Sequence, residues 1–336
     1  MRGHPINLAL QGGGALGALT WGVLDRLLEE PDLAIEGVSG SSAGAMNAVA
    51  LAHGLTTGGA EGARQTLDAF WTAVGNASYP ISGALSEGPP AGLVPSPSKF
   101  LLGLSRFFSP YQLNPFDINP LRSIVERLFD FERLRRRCPI KLFIGATRVR
   151  SGALRIFTTG ELTADHLLAS ACLPALSHAV EIDGDAYWDG AYAGNPALYP
   201  LIHRCRSADI VVVMLQPLNR PGLPTTAEGI RNRIAEINLN ATFLREMRSI
   251  WLARQQALRS LLPFGRLERR LRALRFHLVE MEDLVSKLRT EKSLNASLPF
   301  LLRLRDEGRA RAHAWLRNEA SRVGRRATLD LARLFA

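Results

Sequence analysis

Gly40-Ser41-Ser42-Ala43-Gly44 lies between a short apolar run, Ile35 to Val38, and a stretch rich in helix formers, Ala43 to Leu51. The context is strand, tight turn, helix. A G-x-S-x-G at such a junction sets its central serine on a sharp elbow, with the hydroxyl above the sheet and the backbone at a helix N-terminus. Ser42 is therefore the candidate nucleophile. Gly40 and Gly44 are the elbow glycines, because a Cβ at either would crowd the point where strand and helix pass. An ordinary Gly/Ser turn has the same composition, so the pentapeptide needs support from elsewhere in the chain.

Upstream, Ile6 to Leu10 reads as a buried strand. It runs into Gln11-Gly12-Gly13-Gly14-Ala15-Leu16-Gly17 and then an amphipathic helix to about Glu30. A glycine turn between strand and helix exposes backbone N–H groups that hold a phosphate or a developing oxyanion. Gly12-x-Gly14-x-x-Gly17 also satisfies the dinucleotide fingerprint, and Glu36 follows the last glycine by 19 residues, near the spacing of a ribose-binding acid. Glu36, however, stands near the start of the second strand, and the serine elbow occupies the strand end where that acid belongs. If the two strands are parallel neighbours, Gly12, Gly13 and Gly14 sit beside Ser42 and the N–H of Ala43. They then form an oxyanion hole.

Downstream, Leu142 to Val149 and Leu154 to Thr158 alternate as a hairpin about Ser151-Gly152. Leu162 to Cys172 reads as a helix ended by Pro174. A second hairpin, turning at Asp183-Gly184, delivers the chain to Asp189-Gly190-Ala191. A carboxylate after a strand and before a glycine can orient a serine hydroxyl and take its proton, so Asp189 is the candidate base. Its plainer alternative is a turn cap. Asp183, Asp185 and Asp189 lack the D-x-D-x-D-G pattern of a calcium loop. For a Ser-Asp-His triad the histidine would be His203, His277 or His313, none of them in a glycine-rich loop.

The glycine turn with Gly17, the serine elbow, and Asp189-Gly190 occur in the order and context of the patatin-like phospholipase family. The chain resembles that family from about Ile6 to Leu215, including Ala169-Ser170-Ala171-Cys172-Leu173-Pro174 before the aspartate. The resemblance implies a three-layer α/β/α fold with a central, mainly parallel sheet. It also implies lipid acyl hydrolysis through a Ser42–Asp189 dyad, with the backbone of Gly12, Gly13 and Gly14 as oxyanion hole and no metal or organic cofactor. Leu16 departs from the pattern, which usually carries Arg or Lys there. The expected division is a catalytic domain over residues 1–220 and a basic helical C-terminal extension over 221–336 packed on it.

Composition constrains partners and excludes some classes. Residues 1–230 hold 18 Lys and Arg against 20 Asp and Glu, whereas 231–336 hold 23 against 11. The basic excess is C-terminal and rich in Arg, including Arg266, Arg269, Arg270, Arg272 and Arg275. It would attract an anionic membrane, a lipid or polymer granule, or an acidic polymer, with nucleic acid disfavoured. Cys138, Cys172 and Cys205 form no C-x-x-C pair and suggest neither a zinc site nor a disulfide framework. The N-terminus lacks a signal-peptide pattern, so a cytoplasmic location is expected. Gly, Pro and a Phe/Leu cluster from Phe100 to Tyr111 suggest an apolar flap within a loose segment, Ala69 to Pro120. Thr225-x-x-Glu228 resembles a capping box for a long helix with Ile230, Ile234, Ile237, Ala241, Leu244, Met247 and Trp251 on one face, expected to pack on the core. A second basic helix is expected over about Ser297 to Arg322.

Overall fold

The computed structural model describes residues 3–77, 109–220, 222–259, 265–281 and 296–335. In chain order the elements are β1 (His4–Leu10), α1 (Gly17–Leu27), β2 (Leu33–Ser41), α2 (Ala43–Ala77), α3 (Pro110–Leu113), α4 (Pro120–Leu128) and α5 (Phe131–Arg137). Next come β3 (Lys141–Arg148), β4 (Leu154–Thr158), α6 (Ala164–Ser170), β5 (Val180–Ile182), β6 (Asp185–Asp189), α7 (Tyr199–Arg204) and β7 (Asp209–Met214). The C-terminal part adds α8 (Ala227–Arg259), α9 (Arg266–Ala273), β8 (Arg275–Glu280), α10 (Leu298–Glu319) and α11 (Leu331–Phe335).

One sheet runs β5-β6-β3-β2-β1-β7-β8, with β4 paired to the other edge of β3. The five strands from β3 to β8 along this order are parallel. β4, β5 and β6 run antiparallel at one side. β7 is apolar at most positions and buried at all six, as a parallel strand covered on both faces must be. One face carries α1, α2 and α10 over a core that includes Leu24, Val49, Phe70 and Leu301. The other carries α7 and α8 over Leu201, Phe243, Met247 and Phe276. This is the expected three-layer α/β/α arrangement.

The C-terminal residues are built into these layers. β8 extends the sheet beyond β7 from Arg275 opposite Asp209 to Glu280 opposite Met214. α10 crosses α1 so closely that a Cβ on Gly22 would strike the Arg305 carbonyl, and one on Gly308 the Leu19 carbonyl. Two expectations change. Ala69 to Ala77 continues α2, which bends at Gly58 and Gly59, where the backbone leaves helical geometry and Gly59 takes φ +64°. On α8 the apolar stripe divides: Met247 is buried, but Ile230, Ile234 and Ile237 are exposed, because the residues that reach the core are Phe243, Met247 and Ile250. The expected Phe/Leu flap lies outside the described residues apart from Tyr111, whose ring stacks on His178 at 4.0 Å.

Candidate active site

Strand register brings the two candidate catalytic residues together. β2 pairs with β3 as far as Ser41 opposite Gly145, where β2 ends. β6 pairs with β3 from the other direction, with Asp189 opposite Ala146. At Ala146 and Thr147 the remaining edge of β3 is taken by β4. β2 and β6 therefore share one edge of β3 and meet end to end, with their last residues on adjacent positions. The hairpin that aims β6 depends on its Asp-Gly turn: Asp183 and Gly184 take φ 51° and 80°, the positive values a two-residue hairpin of this hand requires.

The segment before that hairpin holds both backbones. α6 begins at Thr163, whose hydroxyl caps it, and ends at buried Ser170. The Ser42 N–H donates to the Ser170 carbonyl (3.0 Å) and lies 3.1 Å from its Oγ. The Asp189 N–H donates to the Cys172 carbonyl at 2.8 Å. Ser41 Oγ donates to the Gly194 carbonyl at 2.6 Å, tying the elbow to the turn that follows Asp189. Ser42 itself has φ 56°, the left-handed conformation of a strained elbow, and opens α2.

The glycines of all three motifs pack around this point. A Cβ on Gly12 would lie 2.6 Å from the Ser41 carbonyl and 2.7 Å from Ser42 Cβ, and one on Gly40 would lie 2.6 Å from Gly44. Gly17 faces Ala43 in the same way at 2.6 Å. Gly190 has no room beside the Gly145 carbonyl, nor Gly44 beside that of Leu10. β1 is indeed the parallel neighbour of β2, with Leu10 opposite Gly40. The Gly12 N–H donates to Asn195 Oδ1 at 2.7 Å, so Gly12 anchors the turn. Among the described residues, no hydrogen bond occupies the N–H groups of Gly13, Gly14 or Ala43. Gly14, with φ 59°, turns the chain here. Leu16 is buried in the core beneath the turn.

Asp189 is fully buried, and its ionisation is shifted to match. Burial pushes the carboxyl up to about 6, against the opposing pull of the Ala191 N–H and the Ser42 hydroxyl. Oδ1 accepts from Ala191 N at 2.8 Å. Oδ2 has no partner in good hydrogen-bond geometry, so the Ser42 hydroxyl is near enough to influence the charge but is not aligned with it. A buried carboxylate oxygen without a partner is costly unless it serves a reaction, and catalytic hydrogen bonds often align only when substrate arrives.

The competing readings lose their residues to structure. Glu36 accepts from the N–H groups of Arg206 (2.7 Å) and Ser207 (2.7 Å) and from Lys141 Nζ (3.0 Å), at the opposite edge of the sheet from Ser42. It braces the entry to β7 and is not placed for a ribose. His277 is buried three strands from β2 and bonds Asp209 at 3.0 Å, while His203 and His313 are exposed. No hydrogen bond among the described residues joins a histidine to Ser42 or Asp189. Nor does any group of three His, Cys, Asp or Glu among them lie close enough to hold a metal.

Sequence reasoning missed Asn195, Gln11 and Asn240. Asn195 Nδ2 also donates to the Leu239 carbonyl of α8 at 3.3 Å. Gln11 Oε1 accepts from Leu215 N (2.7 Å) and Gln216 N (2.8 Å), and its Nε2 donates to Asn240 Oδ1 at 2.8 Å. The glycine turn is thereby clamped to β7 and to α8. Polar residues at buried positions of the pattern, Gln11 directly after a buried strand and Asn240 among helix apolars, were the available signal.

A mainly parallel sheet thus carries a serine elbow, an adjacent glycine turn and a buried carboxyl at one edge. Residues 8–202 match the family described as Patatin-like phospholipase, and the chain belongs to that family. Among solved structures the chain is similar to VipD from Legionella pneumophila, at 14% identity, covering 91% of this chain and 67% of that one with a TM-score of 0.38. No curated protein matches the chain. Family membership supports lipid acyl hydrolysis in general.

Proposed function

We propose that the chain is a serine acyl hydrolase that cleaves carboxylic esters of lipids through a Ser42–Asp189 dyad. The observation that carries this is the meeting of β2 and β6 on one edge of β3, which sets an elbow serine beside a buried carboxyl whose Oδ2 has no other partner. In the proposed reaction Asp189 takes the Ser42 proton as Oγ attacks the ester carbonyl. The N–H groups of Gly13, Gly14 and Ala43 hold the negative oxygen of the tetrahedral intermediate, each well-aimed donor contributing about 3–4 kcal/mol. Asp189 returns the proton to the leaving alcohol, and an acyl-enzyme remains on Ser42. The same carboxylate then activates water to release the acid.

A base must be ionised to act. With Asp189 lifted to about 6, kcat/KM is expected to rise as pH passes through that value and to level off above it. Labelling by a fluorophosphonate probe tests the reading. Wild type should label, Ser42→Ala should not, and Asp189→Asn should label at least about a hundredfold more slowly, the usual scale of general-base assistance. Equal labelling of wild type and Ser42→Ala would sink the proposal.

A further inference from the structure

The N-terminal half of α8 lies against the catalytic edge through polar groups. β7 ends at that edge, and the chain returns through Pro217, whose carbonyl accepts from Asn240 Nδ2 at 2.9 Å, and Arg220, which pairs with Glu236 at 3.0 Å. The first buried apolar residue on the helix is Phe243. Residues 227–239, about 18 Å of helix at 1.5 Å per residue, therefore bury no apolar side chain. Its side toward the protein is polar: Glu236 and Asn240 are buried, and Leu239 holds Asn195.

Its outward side is apolar and cationic. Ile230, Ile234 and Ile237 follow one another at helical spacing with 44%, 53% and 50% of their surface exposed, and Leu223 just before the helix has 87%. From Gly229 to Arg248 both carboxylates face the protein, Glu236 toward Arg220 and Arg233, and Glu246 toward the N–H groups of Leu198 and Tyr199. The exposed charges on this stretch are Arg231, Arg245 and Arg248. The turn of Gly190–Tyr192, one residue from Asp189, packs on the same helix and presents an exposed Tyr192.

The Arg-rich cluster read from the sequence lies elsewhere. Arg206, Arg266, Arg269 and Arg270 line a cleft of about 560 Å³. Arg270 bonds the carbonyls of Ile202 and Arg206, just before β7 begins. That is the opposite edge of the sheet, about 20 Å from the elbow across six residues of strand. A surface touching this cluster would face away from Ser42.

We propose that Ile230, Ile234 and Ile237 of α8, with Arg231 beside them, form an interfacial anchor that seats the catalytic edge on an anionic phospholipid bilayer. The Ile side chains enter the boundary between headgroups and acyl chains, and the arginines pair with lipid phosphates. An occupant with these two chemistries, apolar below and anionic above, is what the outward side of the helix matches. The proposal rests on the lipid hydrolase reading only for the choice of a bilayer as the occupant.

Co-sedimentation with phosphatidylcholine vesicles containing phosphatidylglycerol tests it. Wild type should partition onto them. Ile234→Asp with Ile237→Asp should weaken partition by about tenfold or more, whereas Arg266→Glu with Arg269→Glu should change it by less than about threefold; a tenfold loss corresponds to about 1.4 kcal/mol. Ile234→Trp, which places an interfacial aromatic on the same spot, should strengthen binding and guards against a variant that misfolds. Wild type that fails to partition, an Ile pair variant that melts normally and binds as wild type, or loss that follows only the Arg266 and Arg269 changes would each overturn the anchor. Hydrolysis of a dissolved short-chain ester by wild type, compared with Ser42→Ala, reads the hydrolase separately. Partition without any such hydrolysis would refute the enzyme and leave the anchor standing.

Discussion

Replacing Asp189 by Asn should make the folded protein more stable at pH 8, relative to wild type, than at pH 4. The carboxyl ionises near 3.8 when unfolded and near 6 when folded. Below 3.8 both states hold the proton, and burial of the neutral acid adds no ionic penalty. Between the two values the unfolded state has released its proton and the folded state has not, so the folded state binds more protons and stability falls as pH rises. Above 6 the loss is complete. A gap of roughly two pH units between the folded and unfolded values corresponds to about 3 kcal/mol. The substituted asparagine would keep an oxygen for the Ala191 N–H and cannot ionise, so the variant escapes this loss. Unfolding by urea at both pH values measures it, with constant effects of the substitution cancelling in the difference. For a chain of this length the same gain is roughly 4 °C in Tm at pH 8. If wild type and variant change by the same amount between pH 4 and pH 8, within about 0.5 kcal/mol, Asp189 is not a buried, weakly acidic group.

Two further predictions use the same site. Ser42 has φ 56°, where a side chain is strained and glycine is not, so Ser42→Gly should be more stable than Ser42→Ala by about 1 kcal/mol, both being inactive; equal unfolding midpoints in urea would refute the strained elbow. Asn195 holds the glycine turn through Gly12 N at 2.7 Å and tethers it to α8. Asn195→Ala should lower kcat by about a hundredfold through misplacement of the Gly13 and Gly14 donors while KM shifts little; a change in KM with kcat intact would mean the residue shapes substrate binding and not the oxyanion hole.

Local chemistry made much of this legible. The glycine turn, the elbow and the Asp-Gly hairpin each carry residues that one backbone geometry demands, so the sequence marks strand ends and turn types at the places that matter. The approach of Ser42 to Asp189 was not written locally. It arises because β3 exchanges one neighbour for another between Gly145 and Ala146, a long-range register that no spacing encodes. The same limit explains the α8 stripe. The buried residues Glu236, Asn240, Phe243, Met247 and Ile250 recur at spacings of four and three and form one face, whereas Ile230, Ile234 and Ile237 lie about a third of a turn round the helix, so periodicity marks an apolar stripe but not which stripe the core takes. The core takes the stripe that starts with polar Glu236 and Asn240 and becomes apolar at Phe243, and it leaves the isoleucines on the outward side.

The site joins two local penalties that a stable fold would otherwise avoid: a serine in left-handed conformation and a carboxyl buried with one oxygen unpartnered. Each is of order 1–3 kcal/mol. Both are held by contacts that tolerate little movement. Ser42 N is fixed by Ser170, Asp189 N by Cys172, and the elbow by Ser41 to the Gly194 carbonyl. Gly12, Gly40, Gly44 and Gly190 allow backbones to touch where any Cβ would force them apart. The rigidity is therefore local to the catalytic edge, and it extends to α8 through Asn195 and through Gln11 with Asn240. A helix tied at its inner side to the glycine turn, and open on its outer side, places any surface bound there in mechanical contact with the proposed donors. Under that arrangement, seating α8 on a bilayer should change kcat on dispersed esters as well as binding, and the Asn195→Ala variant should lose the change.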